Sequence, residues 1–280
     1  MLAVALLALA ASRPLSPDEV RWNAPAAPFR IADNLYYVGT ADLASYLVVD
    51  PEGMILLDGG LEASAPLILD NIRTLGFDPK RVRYLINSQA HNDHAGGLAA
   101  LKEATGAELL AAPADAELLE RGGSGDPQWG DQLTYPPVKV DARLHDGAEL
   151  KLGAVRMTAH LTPGHTPGCT SWTIPVQVDG RGVDALFVCG ATAPGYKLKG
   201  NPAYPSIMDD FRRSFATWRN LPCDLFLGAH GSYFGMAEKR ARMAPGRPNP
   251  FVDPKGCRAF LNAAEQRIEA QGAKEAMQGG

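Results

Sequence analysis

An α/β protein made of two packed β-sheets with helices outside is the fold this sequence predicts. Three observations point there. Short β-rich runs cluster in each half of the chain, helical stripes alternate with them, and 280 residues are enough to bury a large core as one domain. The first strands are the apolar runs Leu35–Gly39, Tyr46–Val49 and Met54–Leu57, with Asp50-Pro51-Glu52-Gly53 as the turn between the last two. Leu61, Ala65, Ile68, Leu69, Ile72 and Leu75 recur at three and four residues, so they form one buried helical stripe that Gly76 ends. A strand at Val82–Ile86, a short helix Gly97–Thr105, a strand Glu108–Ala111 and a helix Asp115–Arg121 complete the first half. Glycine and proline make Gly122–Pro137 irregular, and a loop of that length in a compact domain is usually functional or disordered. The second half offers strands at Leu150–Leu152, Val155–Leu161, Ser171–Val178, Ala185–Cys189 and Leu225–Gly228, with helices Ile207–Asn220 and Gly256–Ala270.

Charge excludes some functions. The 27 basic side chains face 31 acidic ones without a basic block, so a nucleic-acid partner is not expected. The apolar run Leu2–Ala11 is too short to cross a bilayer as a helix. Ala8-Leu9-Ala10 has the small residues of a signal-peptidase site, although no positive segment precedes it. Residues 1–10 are therefore expected to be an export signal, the protein periplasmic, and 22–270 a single domain. Four cysteines suit an oxidising compartment. Cys223 and Cys257 can close a loop of about 35 residues, worth about 3–4 kcal/mol in the chain-entropy model. Four cysteines nevertheless allow three pairings.

The chemistry concentrates in the histidines. After the strand Val82–Ile86 comes Gln89-Ala90-His91-Asn92-Asp93-His94, two imidazoles and a carboxylate that a turn can aim at one point. These are ligand types that hold zinc while leaving a coordination position open. His165 sits in Thr162-Pro163-Gly164-His165-Thr166-Pro167-Gly168, where paired proline and glycine present the imidazole. His230 follows the strand Leu225–Gly228 in Gly228-Ala229-His230-Gly231. A single turn histidine means little, but four at strand ends make a shared metal the better reading. His145 and His160 lack such company and read as ordinary surface or core residues.

The pattern Gln89-x-His91-x-Asp93-His94, then Gly164-His165-Thr166, then Ala229-His230-Gly231, resembles the metallo-β-lactamase superfamily. Leu57-Asp58-Gly59-Gly60, Arg121-Gly122-Gly123-Ser124, Thr134-Tyr135-Pro136-Pro137, Ala193-Pro194-Gly195-Tyr196, Gly200-Asn201-Pro202, Arg212-Arg213-Ser214-Phe215 and Leu221-Pro222-Cys223-Asp224 tighten the likeness to subclass 3 of the class B enzymes. The likeness runs from about Trp22 to Leu261. It implies a four-layer αβ/βα sandwich with two zinc ions at one end of the sheets. Gln89, His91 and His165 would hold the first zinc; Asp93, His94 and His230 would hold the second. The family's reaction is hydrolysis of the β-lactam amide in penicillins, cephalosporins and carbapenems, giving antibiotic resistance. Zinc acidifies bound water to a pKa near 7, so the nucleophile exists at neutral pH. Asp93 would be a catalytic carboxylate as well as a ligand, and Tyr196 a donor to the developing oxyanion. Thr192 would contact the substrate carboxylate, and Trp129 and Trp22 would border the groove, with Trp129 either covering substrate or pinning its loop. Asp58 would buttress the metal loop. A Cys223–Cys257 disulfide is also implied.

Two departures stand out. Most relatives have histidine where this chain has Gln89, a neutral and weaker donor, so looser zinc is expected at the first site. Val188-Cys189-Gly190-Ala191-Thr192 replaces the family's Asp-Ser-x-Ser. Cys189 there reads as a buried strand-end residue, with zinc ligation the lesser alternative; Cys169 reads as structural. Two other functions compete: a lactonase or thioesterase of the same superfamily, and a zinc-binding paralogue without activity. Thioesterases of this type carry an aspartate bridging both metals where Cys189 lies. A small-molecule substrate and a monomer complete the expectation, with no membrane anchor.

Overall fold

The computed structural model describes residues 13–278, so the apolar Leu2–Ala11 run lies outside the described residues. Seven strands form the first sheet in chain order: β1 (Phe29–Ala32), β2 (Leu35–Tyr37), β3 (Tyr46–Asp50), β4 (Gly53–Leu57), β5 (Val82–Ile86), β6 (Glu108–Ala111) and β7 (Ala142–Arg143). The strands from β1 to β4 pair antiparallel, and those from β4 to β7 pair parallel. The second sheet runs β12 (Leu225–Gly228), β11 (Arg181–Val188), β10 (Thr170–Val178), β9 (Val155–Leu161), β8 (Glu149–Leu152).

Side-chain alternation builds the layers. Val48, Ile55, Leu57 and Ile86 point into one core with Trp172, Ile174 and Phe187 of the second sheet. Their neighbours Leu47, Leu56 and Leu85 point the other way, against Ile68 and Ile72 of α2 (Ala65–Thr74) and Leu98 and Leu101 of α4 (Leu98–Thr105). Both faces of β4 are thereby covered, and all five of its residues are buried. Phe211, Phe215 and Trp218 of α6 (Ile207–Asn220) and Leu261 of α8 (Pro254–Gln278) cover the far face of the second sheet. Each such fully buried Ile, Leu or Phe contributes roughly 1.5–3 kcal/mol. The result is the four-layer αβ/βα sandwich.

Differences from the sequence reading have physical causes. The terminal helix runs eight residues past Ala270, through the buried Gly272, to Gln278. The helix expected at Asp115 begins at Pro113 as α5 (Pro113–Glu120), proline being suited to the first turn. Five strands and α-helices were not foreseen: β1, β7, the short helices α3 (Asn92–Ala95) and α7 (Met236–Ala241), and the one-turn-and-a-half α1 (Pro17–Trp22), whose Ser16 and Glu19 form a capping box. Cys223 and Cys257 form a disulfide. Cys169 and Cys189 form a second one, which corrects both the single-residue reading of each and the zinc-ligand alternative for Cys189. Antiparallel pairing of β9, β10 and β11 brings those two cysteines together, a proximity that sequence spacing does not reveal. Among the described residues no helix is long and apolar enough to cross a membrane.

Candidate metal centre

The carboxyl ends of the strands converge on one edge of the sandwich, where α/β sheets commonly place their sites. β5 delivers the loop that carries Gln89 and His91 and enters the short α3 (Asn92–Ala95), which holds Asp93 and His94. β9 delivers His165, β11 delivers Cys189–Thr192, and β12 delivers His230. Of the sequence-predicted ligands, His91 meets His165, and Asp93, His94 and His230 meet one another, with Gln89 buried in the loop that carries His91; His145 stays exposed and His160 bonds Thr173 away from the site.

The imidazoles meet in two pairs. His91 Nδ1 lies 3.2 Å from His165 Nε2, and His94 Nε2 lies 3.3 Å from His230 Nε2. The Asp93 carboxylate sits 3.4 Å from both nitrogens of the second pair, and Asp93, His94 and His230 form a cluster able to hold a metal ion. Each ring also turns its outer nitrogen to an oxygen. His230 Nδ1 meets Asp42 Oδ2 at 2.9 Å, and His165 Nδ1 meets the Thr192 carbonyl at 2.7 Å. His94 Nδ1 faces Asp58 Oδ2 at 3.6 Å, and His91 Nε2 faces Asp126 Oδ2 at 3.4 Å. Protons held on the outer nitrogens leave the four inner ones as lone-pair donors, the tautomers a metal centre needs.

Gln89 belongs to the same loop as His91. Its side chain is fully buried, and neither its amide oxygen nor its nitrogen has a partner within the protein. A buried amide left so is costly unless something binds it. Gln89 stands two residues before His91, which converges with His165; this donor set fits a transition metal such as zinc, and so do Asp93, His94 and His230.

Electrostatics separates the groups. Burial opposes charge on His94, yet Asp93 and Asp58 outweigh it and hold its pKa up at about 10. Burial also works against Asp93, but His94 and His230 hold its carboxyl well below the usual range. His165 goes the other way: burial and the neighbouring His91 push it down to about 3. The second group thus calls for positive charge and the first does not.

The supports are specific. Asp58 takes a left-handed backbone conformation (φ 64°), rare for a residue with a side chain, and accepts from Ser88 N at 2.7 Å and Ser88 Oγ at 2.6 Å. Buried Asp115 accepts from Ala90 N, Thr166 Oγ1 and Gly168 N, tying the two ligand loops together. Burial raises its pKa to about 6 against those bonds. Gly190 lies so close to His165 that a Cβ there would sit 2.5 Å from the ring, which accounts for the missing side chain. Glu19 of α1 accepts from Asn92 Nδ2 at 3.2 Å, between the two ligand groups, and is held by Arg13 and by Ser16 N.

A groove of about 590 Å³ opens over the centre, walled by Trp22, Trp129, Leu133, Pro194, Tyr196 and Tyr233. Trp22 packs edge-on to His230 at 5.3 Å between ring centres, and Trp129 edge-on to Tyr196 at 6.1 Å. Thr192 Oγ1 lies 3.2 Å from the Tyr233 hydroxyl. Tyr196 is nearly buried, stacked on His165, and its hydroxyl donates to the His165 carbonyl at 3.0 Å. In this arrangement its proton is engaged rather than offered to the groove. Sequence reasoning missed Asp42, Asp115, Asp126, Glu19 and Tyr233. Four are acidic residues of turns or helix starts, where such residues are common without function; Tyr233 stood three residues beyond His230 and was the one signal available.

Comparison with known proteins agrees with this geometry. Residues 42–230 match the metallo-beta-lactamase superfamily. A Cronobacter sakazakii metallo-β-lactamase described by a HARLDQ motif is 42% identical, covers 92% of this chain and 98% of its own, and superposes with a TM-score of 0.89. The subclass B3 metallo-β-lactamase BJP-1 of Bradyrhizobium japonicum is 39% identical over 92% and 98%, with a TM-score of 0.88. A hydroxyacylglutathione hydrolase of Anaeromyxobacter dehalogenans is 35% identical over 112 residues, 39% of this chain, and the match spans only about a third (35%) of that enzyme's length. Fold, convergent donors and a match across most of the chain together make this protein a member of the metallo-β-lactamase superfamily of hydrolases.

Proposed function

We propose that this protein is a zinc-dependent β-lactamase that opens the amide of penicillins, cephalosporins or carbapenems, and that it confers antibiotic resistance from the periplasm. One observation carries the reading. Proteins named metallo-β-lactamases match it over more than nine-tenths of both chains, whereas the hydroxyacylglutathione hydrolase matches over about a third of its length. The strand-end position of Cys189 adds support. Its sulfur is bound to Cys169, so no carboxylate or thiolate there bridges the two groups as in the thioesterase pattern. Two disulfides suit an exported protein.

Gln89, His91 and His165 would hold one zinc, and Asp93, His94 and His230 the other. Zinc bound there supplies Lewis acidity and lowers the pKa of a coordinated water to about 7. The rest is the work of the chain. Asp42 and the Thr192 carbonyl accept from the outer nitrogens of His230 and His165, and the carboxylates of Asp58 and Asp126 face those of His94 and His91, which favours protons on the far side and free ligand nitrogens. Asp93 adds the negative charge of the second group and is placed to orient the attacking water. The paired hydroxyls of Thr192 and Tyr233 face the groove and suit a substrate carboxylate. Trp22 and Trp129 flank the lactam and exclude bulk water. Tyr196 reaches a developing oxyanion only by releasing the His165 carbonyl.

Loss of carbapenem ultraviolet absorbance with purified, zinc-loaded protein, abolished by a chelator, is the expected result. Turnover of a lactone or glutathione thioester, with every β-lactam left intact, would instead establish the reading suggested by the curated relative. Two bound zincs and no turnover of any of these would mark a silent paralogue.

A further inference from the structure

Two side chains tie the loop from Gly122 to Pro137 to the first donor group: Tyr135, whose hydroxyl donates to the Ala90 carbonyl, and Asp126, which alone of the two faces a ligand imidazole. Asp126 is almost fully buried, with its side chain 7% exposed. Its Oδ1 accepts from Gln128 N at 2.8 Å and Trp129 N at 2.7 Å, closing the turn that puts Trp129 in the groove wall. Its backbone pairs with Gly130 in both directions. Gln128 Nε2 then donates to the Gly195 carbonyl at 2.9 Å, fastening the turn to the segment across the groove. Asp126 Oδ2 points the opposite way, to His91 Nε2 at 3.4 Å.

The other acceptor near that nitrogen is the Tyr196 hydroxyl oxygen, also at 3.4 Å, whose own proton goes to the His165 carbonyl. A neutral phenol is a weaker acceptor than a carboxylate. Asp126 is therefore the group that decides which nitrogen of His91 carries the proton. His91 presents Nδ1 to the centre, unlike the other three histidines, which present Nε2. A proton misplaced onto Nδ1 would remove the ligand outright.

We propose that Asp126 is the positioning residue for His91, so that one carboxylate sets both the groove wall, through Trp129, and the first metal site. The proposal rests on the zinc reading of the first donor group and makes no use of the substrate. Loops that shape the groove and ligands that hold the metal are then one unit, and changes that displace the Asp126 turn loosen the metal.

The test is zinc titration of the full chain against a chromophoric chelator, for the natural protein, Asp126→Asn and Asp131→Asn. Asparagine at 126 keeps an oxygen for the turn but removes the carboxylate from His91. Asp131 fastens the same loop through Ser124 Oγ and Gly125 N and faces no histidine, so its variant controls for loop stability. Asp126→Asn is expected to bind one zinc equivalent about 10–100-fold more weakly, the usual cost of losing an outer partner of a ligand. The other equivalent keeps its affinity, Asp131→Asn binds as the natural protein does, and the metal-free forms melt together. Unchanged zinc affinity in Asp126→Asn overturns the proposal, as does equal weakening in Asp131→Asn. Imidazole nitrogen shifts of His91 in metal-free protein give an independent readout: Nε2–H in the natural protein and partial Nδ1–H in Asp126→Asn. A tautomer that does not move also overturns it.

Discussion

The two donor groups lie side by side and are built on opposite principles. Asp93, His94 and His230 include one formal negative charge, and two further carboxylates, Asp58 and Asp42, stand behind the imidazoles. Gln89, His91 and His165 include no carboxylate; Asp126 stands behind one imidazole, a main-chain carbonyl behind the other, and the Gln89 amide has no hydrogen-bond partner within the protein. His94 is accordingly held protonated up to about 10 by its carboxylates, while His165 resists protonation down to about 3. The difference teaches that convergence of ligands and demand for a cation are separate properties. Both groups converge; only the second carries a charge that a cation must balance. Zinc is therefore expected to enter the second group first.

The largest effect should come from removing that charge. Asp93→Asn keeps the shape, deletes a ligand and the negative charge together, and is expected to lower kcat/KM by at least about 100-fold, more than the roughly 10–100-fold typical of outer partners. It should also abolish the difference in zinc affinity between the groups, measured by competitive titration. Full activity in Asp93→Asn would mean the second group is not the reacting one. Gln89→His attacks the comparison from the other side. An imidazole in place of the amide is expected to tighten the weaker zinc by about 10–100-fold, and unchanged affinity would show that Gln89 does not limit the first group.

How far the sequence revealed this contrast is instructive. Period-two and helical patterns located β3 to β6, β9, β10, α2 and α6, because each has one buried face or two. The six candidate donors drew notice because they cluster in short strand-end loops. What sat behind them did not. Asp42 lies 188 residues from His230, and Asp126 sits in a loop whose Asp-Pro pairing reads as ordinary turn chemistry. Such partners are fixed by the packing of distant strand ends and leave no local pattern. The Cys169–Cys189 pairing was hidden for the same reason, its register belonging to the β9–β10–β11 ladder rather than to spacing.

A smaller change sharpens the role of the carboxylates behind the imidazoles. Asp42→Asn removes the charge that His230 Nδ1 addresses at 2.9 Å while leaving a side chain able to accept from Ser232 N. The second zinc should weaken by about tenfold, the low end for an outer partner, because Asp93 still supplies charge. A loss as large as that of Asp93→Asn would mean that the tautomer of His230, and not charge, dominates the second group.

The smallest effect concerns Glu19, which bonds Asn92, the residue between His91 and Asp93 in the chain. Burial opposes its ionisation, but Arg13, Ser16 and Asn92 outweigh burial and hold its pKa at about 2, below the ordinary 4.5. A carboxyl depressed on folding stabilises the native state fully above the unfolded value and loses that contribution as pH falls through the folded one. The hold of α1 on the metal loop should therefore weaken between about pH 4.5 and 2. Amide exchange at Val20–Asn23 in metal-free protein checks it: protection should fall across that window in the natural protein. In Glu19→Gln protection should be lower at neutral pH and lack that dependence, since a neutral amide still accepts from Asn92 but no longer pairs with Arg13 as an ion. The neutral-pH loss should be about 1–2 kcal/mol, the scale of a charge-assisted hydrogen bond reduced to a neutral one. If the window is unchanged in Glu19→Gln, acid loosening originates in the histidine and aspartate ligands themselves, and α1 follows the metal loop instead of holding it.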